Sequence, residues 1–390
     1  VLENSQNFNG IIKLCMKIGI DARLYGTKHA GIGRYTEQVI KNLEKIDSQN
    51  QYFVFLQKDG FDSYQPQAPN FKKVLADFEV YGFGEQLGYP SLLKKYNLDF
   101  VHFTHFNVPL FFKGKFVVTI HDLIISHYPS TRATTLNPIL YFIKLFFYRL
   151  VIRATAKKAR KIIAVSEFTK TDIVRLLKVN PDKIEVIYEG VDFAIKEANN
   201  CDDVLAKYGI NNEFLLYVGS AYPHKNLESL VSAFKEVLKS KPEMQLVLVG
   251  RINYFYERLR VFINYNCDPA VKKKIILTGY ADDEDLSCLY KKATVYVFPS
   301  LIEGFGLPPL EAQNYNLPVA SSNATCLPEI LNDSAVYFEP TDINKMATTI
   351  ISLLNNTQLQ EELKAKGTNN LRRFSWQDSA KDIFSLYSKI

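Results

Sequence analysis

One segment limits the folds open to this chain more than any other. Residues 294–298 form an apolar, β-branched run that reads as a buried strand, Glu303, Gly304, Phe305 and Gly306 follow as a turn, and Pro308, Pro309, Leu310 and Glu311 read as the first turn of a helix. Strand, glycine turn and helix in that order form a ready ligand site. With no Cβ at Gly304 and Gly306, the backbone N–H groups from Gly304 through Leu307 can approach a ligand, and the helix start favours anionic or strongly hydrogen-bonding groups. Glu303 and Glu311, both acceptor-only side chains, can reach different parts of one ligand rich in hydroxyls.

The same alternation runs through the rest of the chain. Candidate strands lie at residues 17–20, 52–56, 100–103, 116–120, 161–165 and 184–187, and a second series lies at 214–218, 245–249, 275–277, 294–297 and 319–321. Amphipathic helical stretches separate most of them, as in parallel doubly wound sheets. A chain of 390 residues, 47% hydrophobic, is too long for one ordinary core. The fold expected is α/β, with two Rossmann-like domains facing across a cleft, residues 16–195 and then 204–372, followed by a helical segment at 373–390. Residues 193–203 read as the linker. Residues 1–15 are polar and unpatterned, and Met16 is the expected true start, the residues before it being an upstream extension.

Five cysteines, at 15, 201, 267, 288 and 326, show no C-x-x-C spacing, so neither a zinc site nor a disulfide framework is expected, and a reducing cytoplasm fits. No apolar run is long enough to span a bilayer, since the most hydrophobic stretch, 139–152, is broken by Lys144 and Arg149. The N-terminal residues lack the pattern of a secretory signal. With a formal net charge of only +6, no nucleic-acid partner is expected.

Three further stretches bear on chemistry. Gly31 and Gly33, in A-G-I-G-R-Y, open a helix after the first strand, where a backbone can approach a ligand. The first strand of the second series runs through Gly219 and Ser220 into a loop ending at Lys225. The strand at 116–120 delivers His121 and Asp122 at its carboxyl end, the edge at which open α/β sheets bind ligands.

The E-x7-E spacing from Glu303 to Glu311, around its E-G-F-G-L-P centre, closely resembles the signature of the family 4 retaining glycosyltransferases, which have the two-domain GT-B fold. The resemblance extends from Met16 to about Leu386, and it implies that the helix at 373–390 crosses back to the first domain. It implies that Glu303 holds hydroxyls of the donor sugar, Glu311 the ribose of the nucleotide and Lys225 the diphosphate. His121 then corresponds to a histidine beside the transferred sugar and the acceptor, and the turn at Gly279 and Tyr280 to one that meets the nucleobase. Ser220 stands where a common form of the pattern has arginine, and Arg34, His224 or nothing replaces that charge. A-V-S-E-F-T-K at 164–170 resembles the family's strand-to-helix junction, although capping by Ser166 explains it fully.

The activity implied is a retaining, metal-independent transfer of a hexose from a nucleoside diphosphate sugar to an acceptor hydroxyl in cell-surface polysaccharide synthesis, with no cofactor. Because no D-x-D pair has a convincing metal-binding context, Lys225, the loop at Gly31 and Gly33 and the N–H groups after Glu303 would stabilise the leaving group. The departing phosphate would help to deprotonate the acceptor. GDP-mannose is the first expectation for the donor, because G-I-D-A-R and P-H-K-N resemble bacterial mannosyltransferases of surface polysaccharide assembly; glucose or N-acetylglucosamine from UDP comes next. A nucleotide-sugar epimerase on the same fold and a non-catalytic sugar-nucleotide-binding module are the alternatives.

From Leu123 through Ser166 there is no acidic residue, while Arg132, Lys144, Arg149, Arg153, Lys157, Lys158, Arg160 and Lys161 are basic. With the aromatic and aliphatic pattern at 139–152, this points to an anionic membrane surface as a partner, at the inner face of the plasma membrane, with a saccharide or lipid-linked saccharide as acceptor. A core helix with a solvated basic end is the other reading.

Overall fold

The computed structural model describes residues 15–26, 30–130, 132, 134, 137–191 and 200–390. The expected upstream extension (residues 1–14) and residues 193–199 of the expected linker lie outside them.

Two parallel sheets organise the chain. The first contains β1 (Lys17–Asp21), β2 (Gln51–Leu56), β3 (Phe71–Leu75), β4 (Phe100–Phe103), β5 (Phe116–Ile120), β6 (Lys161–Ala164) and β7 (Ile184–Val186), in the order β3-β2-β1-β4-β5-β6-β7. The second contains β8 (Phe214–Val218), β9 (Gln245–Val249), β10 (Ile275–Gly279), β11 (Val295–Phe298), β12 (Val319–Ser322) and β13 (Ala335–Phe338), in the order β10-β9-β8-β11-β12-β13. Central strands such as β5 (FVVTI) and β9 (QLVLV) are buried along their whole length, because helices cover both faces of a doubly wound sheet. Strand order reverses between β1 and β4 and between β8 and β11. Crevices at such reversals, beyond the carboxyl ends of the strands, are where open α/β sheets take ligands.

The sequence expectation omitted β3 and β13. Both are edge strands, and β3 carries Lys72 and Lys73, the polar decoration typical of an edge. The linker expectation also needs correction: Cys201 to Asp203 belong to helix Cys201–Tyr208, which is capped by the Asn200 side chain accepting the Asp202 N–H.

Helix Trp376–Tyr387 packs on helix Ala30–Ile46 and contributes Trp376, Ile383, Leu386 and Tyr387 to the core beneath β1 and β2. A buried polar chain fixes it there. Tyr387 Oη lies 2.7 Å from His102 Nδ1, His102 Nε2 lies 2.9 Å from Thr119 Oγ1, and Thr119 Oγ1 lies 3.0 Å from Tyr35 Oη. Burial, with the nearby His121 charge, pushes the His102 pKa down to about 3, so its neutral ring donates on one side and accepts on the other. Gly190 is required beside this helix, since a Cβ would sit 2.2 Å from the Trp376 backbone nitrogen.

Cys201 and Cys288 form a disulfide, which corrects the expectation from cysteine spacing. The two residues are 87 positions apart, so no local spacing reveals them; they meet because helices Cys201–Tyr208 and Asp283–Lys292 pack together. The pairing removes the cysteine argument for a reducing compartment. Cys201→Ser is expected to lower the stability of the second domain by about 2–4 kcal/mol. Urea denaturation with and without reductant checks this, and curves that superimpose would mean that the pair contributes nothing.

Candidate functional site

Because β8 and β11 are neighbours at the reversal of the second sheet, the loops that follow them emerge side by side. One carries Lys225 and the other Glu303. Lys225 closes the short 3-10 turn Pro223–Lys225, and Asn226 behind it adopts a left-handed conformation (φ 61°) and donates to the carbonyls of Pro299 (3.1 Å) and Pro340 (2.8 Å). The His224 carbonyl accepts the Leu301 N–H at 2.8 Å. Thus anchored, Lys225 Nζ lies 2.6 Å from Glu303 Oε1, with the side chains 17% and 10% exposed.

The Glu303 loop is held from behind. Its N–H donates to Thr325 Oγ1 at 3.1 Å, and Thr325, a β-branched residue at φ 59°, sits where such residues rarely do. The Cys326 thiol lies 3.3 Å from the Glu303 carbonyl oxygen and 3.1 Å from that of Phe305. Gly306, at φ 104°, makes the left-handed turn that starts helix Leu307–Asn314. Glu311 projects from that helix and accepts from Tyr290 Oη at 3.2 Å and from Arg34 at 3.3 Å.

Gly304 does something different from what its sequence context implied. A Cβ there would fall 1.8 Å from the His121 carbonyl oxygen, so the space is taken by the backbone of the first domain and not left open for a ligand. The Gly304 carbonyl accepts from Ser166 Oγ (2.7 Å) and Thr169 Oγ1 (3.2 Å) of that domain. Ser166 therefore does more than cap helix Glu167–Leu177, the role that had explained it fully. Gly33 is likewise filled, its missing Cβ replaced by the Gly26 carbonyl oxygen at 1.9 Å, whereas Gly31 faces open space. Both glycines lie in the first turn of helix Ala30–Ile46, a turn without acidic residues.

On the first-domain wall, His121 follows β5. Its Nδ1 lies 2.9 Å from Glu189 Oε1 and its Nε2 3.0 Å from the Thr104 carbonyl oxygen. Both partners are acceptors, so both ring nitrogens donate and the imidazole is held as an imidazolium. Burial alone would lower its pKa; the hydrogen bond and charge of Glu189, with the Thr104 carbonyl, raise it above the ordinary 6.5. A raised folded-state pKa means that the His121–Glu189 pair contributes its full stability below pH 6.5 and loses it as pH rises through the folded value. Glu189→Gln is expected to bring the His121 ring titration, followed by NMR, back toward or below 6.5. An unchanged titration would exclude Glu189 as its cause.

Asp122 sits beside this ring, its carboxylate accepting the Ile124 N–H at 3.0 Å. Burial raises its pKa; the Glu303 charge pushes the same way and the Lys225 charge opposes it, so Asp122 is in electrostatic reach of the second-domain pair. The Glu329 carboxylate completes the contact between domains by accepting the N–H groups of Glu167 (2.7 Å) and Phe168 (3.0 Å), an acid at the positive end of helix Glu167–Leu177. Tyr280, 64% exposed, lies at the carboxyl end of β10 with the Arg251 guanidinium 5.3 Å from its ring centre. Ser220 follows β8 and offers no charge. Arg34 is turned to Glu311, and burial, followed by the Lys225 charge, pushes His224 down to about 4, so neither supplies a cation at Ser220.

Glu189, Thr325, Asn226 and Glu329 were not singled out from the sequence. Glu189 carried one usable signal, its place just after a strand at the carboxyl edge. Among the described residues, no group of three or more His, Cys, Asp or Glu side chains is placed to hold a metal ion, and no helix is long and apolar enough to cross a membrane.

Residues 29–194 match the family model described as Glycosyltransferase Family 4, and residues 203–370 match that described as Glycosyl transferases group 1. The chain belongs to these glycosyltransferases. It is 26% identical over 384 residues to O-antigen chain mannosyltransferase B of Escherichia coli, covering 92% of this chain and 95% of the relative. It is 29% identical over 262 residues to O-antigen chain mannosyltransferase RfbU of Salmonella typhimurium, covering 67% of each. In fold it resembles Anabaena Alr3699/HepE, solved in complex with UDP and glucose, with a TM-score of 0.74 at 17% identity, covering 96% of this chain and all of that one (100%). A sucrose-phosphate synthase from Thermosynechococcus elongatus superimposes equally well, with a TM-score of 0.74 at 20% identity over 96% of this chain and 98% of that one. The fold of this glycosyltransferase is therefore GT-B, and its cleft lies where the carboxyl edges of both sheets converge.

Proposed function

We propose that this glycosyltransferase moves mannose from GDP-mannose to a hydroxyl of a saccharide or lipid-linked saccharide in cell-surface polysaccharide synthesis, with retention at the anomeric carbon and without a metal ion or other cofactor. The observation that carries the reading is the meeting of the buried Lys225–Glu303 pair with His121 and Asp122 across the cleft. Lys225 gives up part of its contact with Glu303 to the donor diphosphate, and the first-turn N–H at Gly31, where a Cβ would meet only open space, adds a donor at a helix start. Glu303 then holds sugar hydroxyls and Glu311 the ribose, displacing Arg34. The backbone from Gly304 through Leu307 lines the donor, and Tyr280 with Arg251 flanks the base.

With both nitrogens donating, His121 has no lone pair with which to take a proton from the acceptor. That supports a mechanism in which the departing phosphate accepts the proton on the face it leaves, which retains configuration. The names of the relatives support mannose. The same reading places the enzyme in the cytoplasm at the inner face of the plasma membrane.

Thermal-shift measurements with GDP-, UDP-, ADP- and dTDP-sugars test the donor, since a ligand bound only by the folded chain raises its apparent stability. GDP-mannose is expected to give the largest shift, transfer to persist in excess EDTA, and the product to show the donor's anomeric configuration by NMR. An absolute requirement for Mg²⁺ or Mn²⁺ sinks the metal-free mechanism, an inverted product sinks retention, and an epimer formed without acceptor sinks transfer itself.

A further inference from the structure

Helix Pro138–Lys158 is started by Asn137, whose side chain accepts the Ile139 N–H. One stripe, Tyr141, Leu145, Ile152 and Ala156, is buried against the first domain. Most of the rest of its first three turns is also apolar, yet it is in solvent: Ile139, Phe142, Ile143, Phe146, Phe147 and Leu150 are between 42% and 71% exposed. A helix on an ordinary wetted surface presents polar residues there. This one alternates its exposed aromatics with cations, Lys144 and Arg149 among them and Arg153, Lys157 and Lys158 at the far end, and it has no acidic residue. None of the five cations forms a salt bridge among the described residues.

The face is continuous with the cleft. Tyr148 of the same helix lies 3.2 Å, Oη to Oγ, from Ser126, in the short helix Ile124–His127 that follows Asp122, and its ring centre is 5.4 Å from that of Phe106. Ile125 and Tyr128, 44% and 43% exposed, extend the apolar surface from the helix toward the His121 and Asp122 wall.

We propose that this face docks on an anionic lipid bilayer, the helix lying in the headgroup layer with Phe142, Phe146 and Phe147 among the acyl chains and its cations on the lipid phosphates, so that the cleft opens toward an acceptor held at that surface. The inference rests on the reading that the acceptor is lipid-linked. Charge selects a bilayer over a second copy of the chain: in a two-fold interface the helix would face its own twin, setting five cations against five with no acid between them. The same cations complement an anionic surface.

The full chain is expected to sediment with phosphatidylglycerol-containing vesicles at low salt, to be released at high salt, and to stay in solution with phosphatidylcholine alone. The exposed triple substitution I143S/F146S/F147S removes binding, and Lys144→Ser with Arg149→Ser and Arg153→Ser weakens it. Trp376, the single tryptophan, is buried, so in Phe146→Trp a blue shift of the new emission on anionic vesicles reports insertion of this face. The proposal is overturned by any of four results: no binding to anionic vesicles, binding that ignores charge, binding unaffected by the triple substitution, or unshifted Phe146→Trp emission in the bound protein. A vesicle-free dimer that the triple substitution dissociates assigns the face to self-association and overturns it as well. Transfer to a water-soluble acceptor, which the triple substitution leaves unchanged, reads the transferase function separately; failure there in the parent protein sinks that function and leaves the vesicle results standing.

Discussion

Gly304→Ala is expected to cost transfer at least about 100-fold while both sheets stay folded. The added methyl meets the His121 carbonyl oxygen at 1.8 Å and its carbon at 2.9 Å, and both are backbone atoms that no rotamer change can move aside. Relief comes only by separating the two walls of the cleft. That separation breaks the Ser166 and Thr169 hydrogen bonds to the Gly304 carbonyl and carries Glu303 away from Asp122 and His121. Most of each core lies on its own sheet, and Val165 and Val191 are the buried first-domain residues that join the second-domain cluster, which includes Phe305, so circular dichroism changes little while the melting temperature falls modestly. Wild-type activity in Gly304→Ala would mean that the contact between domains is not the reacting geometry.

Lys225→Ala is expected to lose about 2–5 kcal/mol of transition-state stabilisation, seen as a fall in kcat/KM. Two effects add. The diphosphate loses its cation in the proposed complex, and Glu303, only 10% exposed, is left as a buried carboxylate without its 2.6 Å partner. The second effect alone would appear as a loss of stability without donor, whereas affinity for free GDP, which lacks the sugar assigned to Glu303, reads the phosphate contact. If Lys225→Ala melts like the parent but binds GDP more weakly, the phosphate contact is the larger part. If Lys225→Ala transfers normally, Lys225 is a structural counter-ion only.

The central strands were legible because burial on both faces leaves an unbroken apolar run, as in β5 and β9. Of the edge strands, β7 and β10 were read and β3 was not, because Lys72, exposed, and Lys73, half-buried, break its apolar run. In the cleft, the residue types that bear chemistry could be read, but their partners could not. His121 and Glu189 lie 68 positions apart, and Lys225 and Glu303 lie 78 apart; each pair is joined only by strand order in a sheet. Glycine showed the same limit from the other side. A missing Cβ at Gly304 or Gly33 says that something comes close, and only the folded chain shows that the visitor is the protein's own carbonyl. The disulfide is a further case, since neither cysteine carries a local mark of the other.

Helix Trp376–Tyr387 has a consequence for how this protein is made. Domains tend to fold in the order in which they leave the ribosome, the N-terminal one first. Here the first domain cannot follow that order to its end: Tyr387 and the buried His102, Thr119 and Tyr35 chain need a helix that is translated only after every strand of the second sheet. Until then Ile383 and Leu386 are missing from its core and His102 has no partner on one ring nitrogen. The half of the enzyme synthesised first is completed last, and a nascent chain stalled within the second domain displays an unfinished first one to chaperones and proteases.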